Sequence, residues 1–590
     1  MKLVKSLLLG SAAGLATVGG AQAADLPVRK AAPVEYVRVC DAYGAGFFYI
    51  PGTDTCLRVG GLVLAQTRIQ GSDQQYSIAP GATGAAVGAA PGVFNPARIA
   101  AGLVGSLPPA STFRPSYGFN RDIFGFDATA RVELDARTQS PFGTVRTFVR
   151  VTSSFGSGLN ATTGNLSSAL GNNAFNTSAG PTVAKEITYI DKAFIQFAGL
   201  TAGRVQSFFD FYADAINYEP LRGSNQNVWA AAYTSTIGGG FSATIAVEDI
   251  QSHRGRVANV IGTGGLGIGG AFVDPGPTGA LPVLGASAFT AASRVPEIVF
   301  NVRYDQPWGA AQLSAALHPI RAALYPTTAV LNGAGGALTA ANTGIAGGTA
   351  VNPNFTGTFA GAGGGAVTPG YAYPFTQSNS FGFAIQGGLQ FNLDSLAPGD
   401  KLWLQATYAR GAIGYTSGTN MAFVGGFGGT ADYGIGVARI SNGYGWTNAV
   451  DVDCVFTYTG TCEKSDSFAV TAALKHFWTP TVSSGFFGSF YAVRYSNNAT
   501  TPFIGPIPGL TTTSTATTGI TNFKEVRLGT NLVWTPVRNF DLGAEFMYMR
   551  GITSRPFGLA QDVELKAAGL PAFQGTNNSF YGKLRAIRAF

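Results

Sequence analysis

Residues 124–139 read FGFDATARVELDARTQ. Taken two at a time, they separate into two faces. Phe124, Phe126, Ala128, Ala130, Val132, Leu134 and Ala136 form an apolar set, and Asp127, Thr129, Arg131, Glu133, Asp135 and Arg137 form a polar one. Successive side chains of a strand point to opposite faces, so the stretch reads as one long strand with a charged side. At 3.6 residues per turn the same letters would scatter charge around a helix. Globular strands are commonest at about 5–6 residues. A tilted membrane strand needs about 9–11, and extensions at both ends are usual. Charges in succession on one face are costly in a dry core and make sense facing water. From this stretch alone, a half-exposed strand of a soluble sandwich remains an alternative. The rest of the chain decides.

The chain opens MKLVKSLLLGSAAGLATVGGAQA. A basic start, an apolar core and a terminal A-x-A describe a secretory signal peptide, with cleavage expected between Ala23 and Ala24. Removing Lys2 and Lys5 with it lowers the formal charge from +7 to +5. Residues 24–56 form an N-terminal segment, and 57–590 is expected to be the barrel. Charged residues make up only 12% of the chain, against about 25% in typical soluble proteins. Aromatics reach 12% and glycines number 81, a composition that suits a transmembrane β-barrel. Residues 322–393 carry no charge, yet Gly, Ala, Thr and Asn fill them too heavily for a membrane helix.

The alternation recurs along the chain. Sixteen runs fit it: 57–70, 121–139, 144–155, 186–198, 201–208, 228–236, 240–250, 295–306, 310–319, 380–393, 401–411, 467–479, 483–496, 522–535, 540–550 and 577–590. Short Gly/Pro turns and long gaps alternate between them. That is the outer-membrane barrel pattern, and an even strand number fits it. A soluble sandwich has no reason to alternate this way. Aromatics at the run ends (Phe477, Trp478, Trp534, Tyr548, Phe580) read as interfacial girdles. The expected fold is all-β: a 16-stranded antiparallel transmembrane β-barrel with short periplasmic turns and long extracellular loops. No reaction is expected, only passage.

Export implies an oxidising compartment, so Cys40, Cys56, Cys454 and Cys462 are expected in disulfides. Proximity favours Cys40–Cys56 and Cys454–Cys462, one of three possible connectivities. The third long gap, 209–227 (FDFYADAINYEPLRGSNQN), holds Asp210, Asp214, Glu219 and Arg222. On the inferred lumen wall lie Asp127, Arg131, Glu133, Asp135, Arg137, Arg146, Arg150, Lys192 and Arg204. Acids on a loop facing that row of arginines would set a field across a narrow channel and sort ions by charge and size.

Enzymatic motifs are missing. His253, His318 and His476 are not in metal-ligand spacing. No G-x-S-x-G occurs. The match to G-x-G-x-x-G at 262–267 has no helix pattern after it and reads as chance. No enzyme activity, metal or cofactor is expected.

The segment PVEYVRVCDAYGAGFFYIPGTDTCLRVGG (33–61) resembles the mature N-terminus of alphaproteobacterial porins, the rhizobial and Brucella-type general porins. KAFIQFAGLTAGRVQSFFDFY (192–212) resembles their strand–turn–strand leading into the constriction loop, and Phe590 matches the terminal aromatic of outer-membrane proteins. The resemblance implies a homotrimer of 16-stranded barrels in the bacterial outer membrane, among its lipid and lipopolysaccharide. It implies passive diffusion of small hydrophilic solutes and ions, with Asp210, Asp214 and Glu219 as constriction-loop acids. No nucleic-acid partner is expected. A substrate-selective channel on the same barrel is the alternative, and inward Phe148 and Phe194 leave room for it. Two features depart from the family pattern. Arg588 stands where the alternation wants an apolar residue, and the gaps 71–120, 251–294 and 320–379 are long and could narrow the mouth.

Overall fold

The computed structural model describes residues 38–72, 77–78, 113–114, 124–158, 185–259, 283–290, 294–329, 359–360, 366–367, 376–417, 451–457, 461–500, 521–554, 563 and 575–590. The signal segment with its Ala23–Ala24 junction and the glycine run 262–267 lie outside the described residues.

Sixteen long strands account for the sixteen runs. They are β1 (Thr55–Ser72), β2 (Phe124–Ser140), β3 (Gly143–Gly158), β4 (Lys185–Phe197), β5 (Leu200–Gln206), β6 (Asn227–Gly238), β7 (Phe241–Glu248) and β8 (Glu297–Gln306). There follow β9 (Gly309–Ala329), β10 (Thr376–Asn392), β11 (Lys401–Arg410), β12 (Asp466–Thr479), β13 (Val482–Arg494), β14 (Phe523–Val537), β15 (Phe540–Thr553) and β16 (Thr576–Ala589). Each pairs antiparallel with its sequence neighbours. β16 then pairs with β1, from Leu62↔Ala589 to Ser72↔Ser579, which closes the barrel. β9 runs past Pro319, where the sequence suggests an end. Its far half is held on both sides, by Val283–Thr290 and by the start of β10.

Burial along the strands is the reverse of a soluble protein's. On β2, Phe126 is 59% and Leu134 40% exposed, whereas Asp135 is 1% exposed. On β11, Leu404 is exposed while Gln405 and Thr407 are buried. Apolar side chains face out because the surrounding solvent is hydrocarbon. Short turns close one end. Ala198 (φ 48°) and Gly199 (φ 87°) both take positive φ, as a two-residue hairpin with the right twist requires. Outward aromatics ring that end, running Phe241–Tyr304–Trp308–Phe391 with centroids 4.2–6.4 Å apart. Phe546, Tyr548 and Phe580 cluster at the opposite end. Phe477 does not join a girdle. It lies on the inward face under Lys475, whereas its neighbour Trp478 faces out.

The described chain divides into two compact units, up to Leu57 and Arg58–Phe590. In the first, Cys40 and Cys56 are disulfide-bonded around buried Phe47, and Phe48–Tyr49 pairs with Cys56–Leu57. In the second, two structures fill part of the barrel interior. One is the segment between β5 and β6. The other is a small sheet of Arg256–Asn259, Val452–Phe456 and Cys462–Lys464, stapled by the Cys454–Cys462 disulfide.

Candidate functional site

The segment between β5 and β6 folds as a compact loop because its own polar side chains tie it. Asp214 is the hub. Its carboxylate accepts from Asn217 Nδ2 (2.8 Å), the Leu221 amide (2.9 Å) and Asn225 Nδ2 (2.9 Å). Asp214 itself sits at φ 54°, inside the turn those bonds close. Asp210 closes the base of the loop by accepting from the Gln226 amide (2.8 Å) and from Gln206. Burial raises both carboxyls above the usual carboxylate range, and the hydrogen bonds only partly offset it.

The loop's remaining charges bind the barrel wall. Arg222 makes a two-pronged pair with Glu525 of β14 (2.7 and 2.8 Å) over the ring of Tyr491. Glu219 pairs with Lys583 of β16 (2.8 Å) and with Arg68 of β1. Glu545 of β15 accepts both the Tyr218 and Glu219 amides at 2.6 Å. Wall amides take the loop carbonyls: Asn301 holds Phe208, Gln386 holds Phe209 and Asn531 holds Ile216. The contacts therefore run from β7, whose Glu248 accepts from Ser207 and Phe208, round to β1. Inward glycines make room for the loop. A Cβ on Gly388 would collide with the Phe211 ring, and one on Gly543 with the Tyr218 hydroxyl.

The wall formed by β2–β5 keeps its own charges. Arg137 and Arg146 both grip Asp135, at 2.9–3.1 Å. Arg150 pairs with Glu133 (2.7 Å) and Asp191 (3.5 Å), and Arg131 reaches Asp191 at 3.8 Å. Lys192 donates to Gln206 and Arg204 to the Asp191 carbonyl. Buried Asp127 accepts from Thr129. The guanidinium groups of Arg146 and Arg150 also cover Phe148, which stacks on Phe194 with centroids 5.1 Å apart.

The loop acids and the wall arginines are held by different partners. Among the described residues, no ion pair joins Asp210, Asp214 or Glu219 to Arg131, Arg137, Arg146, Arg150 or Arg204. The wall arginines have wall acids two residues or one strand away, and the loop acids have nearer donors. Glu219 and Arg222 are almost fully buried. Asp191 escapes the alternation rule because the β3–β4 register slips between Arg150 and Val151. Arg68, Lys583, Glu525 and Glu545 lie in alternating strand runs, but nothing local ties them to the loop. Only the closed ring brings them to the loop.

A second polar cluster lies beside the loop. His253 reaches Glu297 (3.1 Å) and Ser224 (3.2 Å) and stacks on Tyr415, which donates to Glu297 at 2.9 Å. Glu297 raises the His253 pKa against the effect of burial. Glu248, His253 and Glu297 bring ligand atoms within 4.8 Å of one another. The Glu248 and Glu297 carboxylates and both His253 nitrogens also take part in hydrogen bonds.

The family model described as Porin subfamily matches residues 25–88 and 110–569. The chain belongs to that porin subfamily. Among its relatives, porin Omp2b of Brucella suis biovar 1 (strain 1330) is 35% identical over 252 residues, 42% of this chain and 54% of that one. Porin Omp2b of Brucella canis is 34% identical over the same length. The porin thus spans about half the length of the curated relatives it matches. Solved structures with a similar course include the outer membrane channel DcaP of Acinetobacter baumannii, at 11% identity and a TM-score of 0.44, covering 92% of this chain and 99% of that one. Another is an anion-selective porin from Comamonas acidovorans, at 9% identity and a TM-score of 0.35, covering 91% and 100%. Family membership and the apolar outer face place this porin in the bacterial outer membrane.

Proposed function

We propose that this porin is a passive diffusion channel for small hydrophilic solutes and ions, working as a homotrimer among outer-membrane lipid and lipopolysaccharide. The observation that carries the reading is the reversed burial of a closed 16-stranded barrel. About 16 strands leave an aqueous interior, where about 8 would be filled by side chains. Asp210, Asp214, Glu219 and Arg222 belong to the loop that narrows this interior. In our reading Arg131, Arg137, Arg146, Arg150, Lys192 and Arg204, with Asp127, Glu133 and Asp135, line the passage. The side chains of Arg131, Arg137, Arg146 and Arg150 are 22–29% exposed, against 1% for Glu219. Six cations face four carboxylates on that wall once Asp191 is counted, Glu219 and Arg222 are ion-paired elsewhere, and Asp210 and Asp214 are hydrogen-bonded within the loop. The surplus favours anions.

Single-channel conductance in a planar bilayer, with the reversal potential across a salt gradient, tests this. Large steps in groups of three with an anion-side reversal are expected. A silent, membrane-inserted barrel would sink the reading. The Phe148–Phe194 stack beside Arg146 and Arg150 favours one alternative, a channel that binds a preferred solute. Flux that saturates with solute concentration would support it.

A further inference from the structure

Two acids on one short strand carry the next step. Asp451 and Asp453 flank Val452, the first residue of the hairpin made by Val452–Phe456 and Cys462–Lys464. Every residue of Val452–Phe456 is buried. Asp451 accepts from the Tyr491 hydroxyl on β13 (2.8 Å) and reaches Arg222 of the inward loop (3.4 Å). Asp453 accepts from the Ile413 amide (2.9 Å) and faces His318 Nε2 of β9 (3.2 Å). The other nitrogen of His318 faces Glu297 of β8. Carboxylates only accept, so both ring nitrogens of His318 donate. The bridge Glu297–His318–Asp453 thus seats the hairpin on one wall. Asp451 seats it on the inward loop and on β13, a quarter of the way round the barrel.

The hairpin therefore lies across the interior, backed by the loop. Apolar packing completes its seat: Val452 and Val455 belong to one buried cluster with Tyr491 and Phe523, and Phe456 to another with Ile320. The disulfide holds its two strands in register. None of its residues belongs to the strands that close the barrel.

We propose that this hairpin, seated by the Glu297–His318–Asp453 bridge, is a second constriction that sets the size limit of the passage. The inference rests on the diffusion-channel reading. It adds Asp451, Asp453 and His318 to the residues that determine which solutes pass.

Uncharged saccharides of increasing size separate steric from electrostatic effects, so the test is liposome swelling in such sugars. The full-length protein is compared with Asp453→Asn and with a Cys454→Ser/Cys462→Ser double variant. Folding is checked by the gel shift of unheated barrels. Both variants are expected to admit tri- and tetrasaccharides several-fold faster than the parent, with monosaccharide rates little changed. Folded variants with the parent's size limit would overturn the proposal. Failure of both to form barrels would overturn it too, because it would make the hairpin a structural core rather than a constriction. A parent that passes no sugar at all would count against the channel reading itself.

Discussion

Arg222 shows how single charges are placed in this porin. It is 2% exposed and lies against Glu525, with Arg527 on the other side of the same carboxylate. Removing one partner of a buried pair leaves a charge without compensation, at about 3–5 kcal/mol. Arg222→Met is expected at the low end, about 3 kcal/mol, because Arg527 still covers Glu525. Glu525→Leu should cost more than Arg222→Met, toward about 5 kcal/mol, because it removes the carboxylate that both Arg222 and Arg527 hold. Urea unfolding in lipid vesicles, followed by tryptophan fluorescence, measures both. Gly543 makes a complementary case. Gly543→Leu would press on Tyr218, which Arg585 also covers, and overpacking costs about 1–3 kcal/mol. The displaced loop should also change the single-channel conductance, and an unchanged trace would show that Tyr218 can move aside freely. Arg588, out of place in the alternation, donates to the Arg538 carbonyl in the short turn before β15. An outward arginine at a barrel rim reaches the polar boundary and avoids hydrocarbon.

At the scale of elements, the polar cluster beside the loop depends on protons. Glu297, Glu248 and Asp210 act on His253 from three elements, Ser224 meets its other nitrogen, and Tyr415 stacks on its ring. Its folded pKa is raised. The stabilisation is therefore complete below the ordinary histidine value of about 6.5 and is lost as pH climbs through the raised one. Thermal stability of the parent should fall more steeply than that of His253→Gln above pH about 6.5, read as unfolding temperature against pH. Parallel curves would rule the histidine out as the cause. The strands themselves were legible in the sequence, because a period of two survives wherever one face meets lipid and the other water. The loop's docking was not. Glu219 meets Lys583, and Arg222 meets Glu525, only after more than 300 residues of intervening chain have closed a ring. Asp191 was hidden by a one-residue bulge, and Gly388 and Gly543 by looking like ordinary turn or strand glycines.

For the whole molecule, charge is partitioned by side. The inward loop is bound to the wall from β7 round to β1, with Glu219 and Arg222 ion-paired there, and the basic wall β2–β5 keeps more cations than carboxylates. Replacing Arg146 and Arg150 by Gln should shift the reversal potential toward cations, while a Glu219→Gln change should leave selectivity nearly as it was. A larger effect from Glu219 than from the arginines would reverse that assignment.

The seam between β16 and β1 carries a last consequence. Gly61 and Phe590 exchange backbone hydrogen bonds at 3.1–3.2 Å, and Leu62 stands opposite Ala589. Each of the other fifteen contacts between neighbouring barrel strands joins strands consecutive in sequence, but this one joins the first barrel strand to the last. Until it zips, β1 and β16 both present bare edges to any other chain in reach. Loop-closure entropy grows slowly with length, yet it must be met before the contact yields anything. Maturation of the barrel is thus governed by one late, long-range encounter, and the half-made ring is the state most exposed to aggregation.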